Sequence, residues 1–88
     1  MAEDRRREIA AEVKEYILRE FLPGARPDEL DETTALVTGG VLDSISTVKL
    51  VSFLENRFGI QFRAHEMDVD HLNNLDLIAA TVQAKLAQ

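Results

Sequence analysis

Between about Asp4 and Leu22 the apolar residues Ile9, Val13, Tyr16, Ile17 and Phe21 recur at helical spacing, with Arg, Glu and Lys between them. That spacing gathers them on one face and predicts a long amphipathic first helix. Pro23-Gly24 stops it, because proline disfavours the helical conformation of the residue before it and glycine accepts a left-handed cap. From Ala25 to Leu42 the apolar residues Leu30, Leu36, Val37 and Val41 keep no helical period. A connection of that length must pack its own side chains, so it is expected to lie across the molecule with Leu30 and Leu36 tucked inward and room for a short helical turn.

A helical pattern resumes at Ser44 and runs to about Arg57. Gly39-Gly40 permits a tight turn before it, Asp43 suits an N-cap, and Ser44 falls in the first turn. On a helical wheel Leu50, Val51, Leu54 and Phe58 share a face assigned to the core. Ile45, Lys49, Ser52 and Asn56 form another stripe, which starts beside Ser44. Gly59 ends this helix, and Ile60 and Phe62 turn inward around polar Gln61. A short third helix is expected between about Glu66 and Leu72. Asn74 then caps a last helix whose first turn holds Asp76 and whose apolar face is Leu75, Ile78, Val82 and Leu86. No strand pattern competes. The expected fold is all-α, a small four-helix bundle with three longer helices, one short helix and a long loop between helices one and two.

The chain has 88 residues, enough for one domain spanning 1–88 but not for a large enclosed cleft. Its 45% hydrophobic and 30% charged content is that of a folded globule, and without cysteine it has neither disulfides nor thiolate metal sites. A net charge of −6 argues against nucleic acid and favours partners with positive patches. Arg5-Arg6-Arg7 is flanked by acids and reads as a solvated helix start. No run has signal-peptide character or membrane-spanning length, so a cytoplasmic monomer without membrane insertion is expected.

Catalytic chemistry is not legible. His65 and His71 sit in a loop-like stretch without the spacing of a metal site and read as surface residues. The acids Asp28, Glu29, Asp31 and Glu32 cluster, yet so small a bundle offers no deep pocket to separate their pKa values. Ser44 lacks the Gly-x-Ser-x-Gly elbow of a hydrolase and has no recognisable base. The chain is expected not to be an enzyme.

Gly40-x-Leu42-Asp43-Ser44-Ile45 resembles the phosphopantetheine-attachment signature of the acyl and peptidyl carrier protein family. The resemblance runs from about Leu30 to Leu86 and is tightest at Leu42-Asp43-Ser44, Thr47-Val48-x-Leu50 and Phe58-Gly59-Ile60. It implies a freestanding carrier that holds an acyl or aminoacyl group as a thioester on a 4′-phosphopantetheine arm at Ser44. A phosphopantetheinyl transferase would supply the arm from coenzyme A. An acyl- or aminoacyl-loading ligase and a downstream synthase or transferase would be the working partners. A phosphate ester on Ser44 would lie at the favourable end of the helix dipole.

Asp43, Ile45, Lys49 and Ser52 are the candidate partner contacts, with Ile45 as the apolar element. Ser46, Lys49 and Asn56 stand where fatty-acid carriers often have acids, which argues against routine fatty-acid synthesis. Gly40-Val41-Leu42-Asp43-Ser44, Thr47-Val48, Gly59-Ile60-Gln61 and Glu66-Met67-Asp68 look closer to D-alanyl carriers and to freestanding aminoacyl or specialised-metabolism carriers. Lys49 and His71-Leu72-Asn73 depart from the D-alanyl pattern and leave the cargo open. Two other classes stay open: an unmodified carrier-like interaction module, and a regulatory bundle that docks a partner helix through an apolar groove.

Overall fold

The computed structural model describes residues 2–87. The first amphipathic pattern forms helix α1, Ala2–Phe21, which buries Ile9, Val13 and Ile17 and leaves Arg5, Arg6 and Arg7 in solvent. Helix α2 is Ser44–Phe58, α3 is the four-residue Val69–Leu72, and α4 is Leu75–Leu86. The architecture is thus three longer helices and one short one, with no strand among the described residues. α1 packs chiefly against α4, and α3 contacts α4 across the two-residue link Asn73-Asn74.

The long connection behaves as its few apolar residues require. Leu30, Leu36 and Leu42 are buried in the same core as α1, α2 and α4, and a 3₁₀ turn forms at Pro27–Glu29. Its backbone is also tied to the far end of the chain, since the Asp76 N–H donates to the Glu32 carbonyl (3.3 Å) and the Leu36 N–H to the Asn73 carbonyl (2.6 Å). These bonds satisfy peptide groups that a loop crossing a core would otherwise leave unpaired.

α2 contributes Leu50, Val51 and Leu54 to the core, with Phe58 half-buried at its edge. Tyr16 of α1 stacks on Phe53 of α2, with ring centroids 4.1 Å apart and an interplanar angle of 11°. Among the described residues every buried residue is apolar. The driving force for assembly is therefore removal of apolar surface from water.

The segment expected as one short helix from about Glu66 to Leu72 is two pieces. A 3₁₀ turn at Ala64–Glu66 precedes α3, which starts afresh because the Asp68 carboxylate caps it and accepts the His71 N–H at 3.1 Å. Asp68 also bonds His71 Nδ1 at 2.7 Å, so this histidine is half-buried and paired, whereas His65 is exposed. The last residue of that turn, Glu66, accepts Lys85 Nζ at 2.7 Å and the Arg63 N–H at 2.8 Å on Oε1, which ties the approach to α3 onto α4.

Candidate functional site

The backbone that leads to Ser44 is shaped by two glycines with different tasks. Gly40 has a φ of +83°, a conformation that side-chain-bearing residues rarely adopt. Gly39 has ordinary φ, but a Cβ there would collide with the Ala35 carbonyl. The turn closes where the Leu42 N–H donates to the Leu36 carbonyl at 2.8 Å, which buries Leu42 and delivers Asp43 to the start of α2.

Asp43 is the N-cap of α2. Its carboxylate accepts the Ser46 N–H at 2.7 Å and its carbonyl accepts the Thr47 N–H at 2.9 Å. The hydrogen bond from the Ser46 backbone, followed by that from the Ser46 hydroxyl, holds the Asp43 carboxyl below its ordinary pKa. Ser44 is the first residue of α2 and is exposed. Among the described residues its hydroxyl has no side-chain or backbone partner. A residue this exposed leaves room for a group on Oγ, which is compatible with a flexible covalent arm.

The remaining candidates lie along the same side of α2. Ile45 is 69% exposed, and Lys49 and Ser52 are exposed with it. The stripe that starts at Ser44 is therefore open to a partner along its length. Val48, which belonged to neither stripe in the sequence pattern, is 55% exposed. It stands three residues after Ile45, a spacing that places both on one helical face and could have signalled it. Ile45 and Val48 give the surface beside Ser44 an apolar centre and Lys49 gives it a cation.

One polar residue far along the chain also reaches the approach to Ser44. Asn73, at the end of α3, accepts the backbone N–H groups of Val37 and Thr38 on Oδ1, each at 3.0 Å. A bond across 36 positions leaves no local sequence signal.

Among the described residues no helix is long and apolar enough to cross a membrane. No protein-family model matches the chain. The D-alanyl carrier protein of Streptococcus sanguinis (strain SK36) is 40% identical over 75 residues, which are 85% of this chain and 91% of that protein. The D-alanyl carrier protein of Streptococcus gordonii (strain Challis) is 39% identical over the same shares. A solved chain described as "Crystal structure of FAD-dependent dehydrogenase" matches with a TM-score of 0.73 and 33% identity, over 80% of this chain and 97% of that one. The matched chain is thus about as short as this one. With two relatives near 40% identity across nearly their whole length, the chain belongs to the carrier-protein family.

Proposed function

We propose that this protein is a freestanding aminoacyl carrier whose Ser44 Oγ takes a 4′-phosphopantetheine arm from coenzyme A. The single observation that carries this reading is the exposed, unpartnered hydroxyl of Ser44 directly after the N-cap Asp43, in a chain with this family membership. The arm supplies a terminal thiol that holds the cargo as a thioester. The bundle supplies the rest: a rigid α2 that fixes where the arm emerges, and an exposed face at Asp43, Ile45, Lys49 and Ser52 by which partners recognise it. A tether of this kind raises the effective concentration of the cargo at each docked active site. The D-alanyl name of the relatives supports an amino acid as cargo, and Lys49 supports a loading ligase that offers an acidic contact.

The test is incubation of the protein with coenzyme A and a broad-specificity phosphopantetheinyl transferase. Expected is one added phosphopantetheinyl unit on the wild type and none on Ser44→Ala, with the helical content of the variant unchanged. A modified alanine variant contradicts the assignment. A wild type that no transferase modifies favours an unmodified interaction module instead.

A second reading of the downstream partner is favoured by the solved chain described as a FAD-dependent dehydrogenase, 97% of which this short bundle covers. In this reading the bundle itself holds no flavin and instead presents its thioester to a FAD-dependent dehydrogenase. The loaded cargo would lose two hydrogens as the flavin is reduced, a change visible in the mass of the loaded protein. Unchanged cargo with such an enzyme restricts the partners to transferases and synthases.

A further inference from the structure

We propose that Asn73 is a positioning residue for arm attachment, which holds the segment before Ser44 in the shape a transferase docks against. The proposal rests on the reading of Ser44 as the attachment point.

Residues 36–42 belong to no helix, and they are held by few bonds. The Leu36 carbonyl accepts the Leu42 N–H at 2.8 Å, and the Val37 carbonyl accepts the Gly40 N–H at 3.2 Å, so the segment folds into a closed turn. That turn is fixed to the bundle through Asn73. The Asn73 carbonyl accepts the Leu36 N–H at 2.6 Å, and its side-chain oxygen accepts the N–H groups of Val37 and Thr38, with the Thr38 hydroxyl at 3.4 Å. Leu72, the neighbour of Asn73, is fully buried, as is Leu36 on the other side of the contact. Asn73 therefore hangs on the rigid core while its oxygen gathers consecutive amides of the loop.

The consequence at Ser44 is indirect and specific. Ser44 itself rides on α2, which the core holds through Leu50, Val51 and Leu54. Gly39, Gly40 and Val41 ride on the turn that Asn73 anchors. Loss of the side-chain oxygen leaves two peptide N–H groups without their acceptor, and they turn toward water. The hydroxyl then keeps its place while the surface in front of it moves. A partner that reads both pays in docking, so the Michaelis constant for the carrier rises while kcat holds.

Asn73→Leu removes the oxygen at nearly constant size, and Asn73→Asp keeps an acceptor oxygen in place. With coenzyme A and one transferase, the expected result is a roughly tenfold rise in KM for Asn73→Leu at unchanged kcat, and values close to wild type for Asn73→Asp. Amide hydrogen exchange should accelerate at Val37 and Thr38 in the leucine variant alone. Leu86→Ala, which loosens the end of α4 away from this contact, serves as the stability control and should leave KM unchanged. Asn73→Ala replaces Asn73→Leu if the latter does not fold. Equal KM for wild type and the variant without the oxygen overturns the role of Asn73 while leaving Ser44 as the attachment point. A matching rise in Leu86→Ala also overturns it, because the effect would then be general loosening. A wild type that accepts no arm overturns the Ser44 reading and this proposal together.

Discussion

The Asp43 carboxylate accepts the backbone N–H of Ser46 at 2.7 Å, bracketing Ser44 within the first turn of α2. Because that bond lowers the carboxyl's pKa, the cap is fully charged at neutral pH and is lost as pH falls through its depressed value. Asp43→Ala should lower the thermal midpoint by about 5 °C and slow arm transfer as the first turn frays. Asp43→Asn, which retains an acceptor, should restore most of both. Thermal melts and transfer rates for the two variants check this, and an unaffected Asp43→Ala would mean that the first turn is held by its neighbours.

Leu54 is fully buried at the centre of the α2 face that meets the core. Leu54→Ala should cost about 2 to 5 kcal/mol through lost burial and a residual cavity. That is a large part of the stability of a domain this small, so denaturant melts should show a clearly lower midpoint. A loss below about half a kcal/mol would contradict the packing of this face.

This face was readable in advance because helical periodicity and capping are local. Asp43, Asn74 and the spacing of Leu50, Val51 and Leu54 announced themselves within a few residues, and the described helices follow them. The burial of Leu30 and Leu36 was also legible, since apolar residues in a long loop need a core to enter. What was not legible depends on distant partners or on competing caps. Asn73 is an ordinary loop asparagine until its oxygen meets Val37 and Thr38, and Asp68 divides the expected third helix by starting a new one. Val48 is different: its place three residues after Ile45 was a local signal for the exposed face, although it also borders the core stripe.

Glu66 and Lys85 form the bond that ties the segment before α3 onto α4. The hydrogen bond from Lys85, with that from the Arg63 N–H, holds the Glu66 carboxyl down to about 2 from an ordinary value of 4.5. Its folded pKa lies below its unfolded one, so the unfolded chain takes up the proton first and stability rises with pH across that window. The contribution is complete above pH 4.5 and lost as pH falls through about 2. Lys85→Gln should therefore trail the wild type most at neutral pH, with the gap in denaturant midpoint narrowing in acid. A gap that is equal at every pH would mean that only the contact of Lys85 over the Phe62 ring, 5.1 Å from its centroid, was lost.

Lys49 is exposed one helical turn beyond Ile45, on the face that begins at Ser44. A partner that grips carriers through basic patches is repelled there, whereas a ligase with an acidic contact is attracted. Lys49→Glu should speed loading by enzymes of fatty-acid type and slow loading by the native ligase. Rim charges act mainly on association, so a shift of roughly tenfold or less is expected, shrinking as salt is added. Loading rates at low and high salt with both kinds of enzyme decide the matter. If neither rate changes, specificity rests with Ile45, Val48 or the long loop.

The most direct test is the intact mass of the wild type and of Ser44→Ala, each isolated from the organism that encodes the protein. The wild type should appear as holo and loaded forms, one phosphopantetheinyl unit heavier than the chain and heavier again by its cargo, with the modification on the peptide that contains Ser44. The alanine variant should appear at the mass of the bare chain. An unmodified wild type, or an arm found on any other residue, would contradict a carrier function at Ser44.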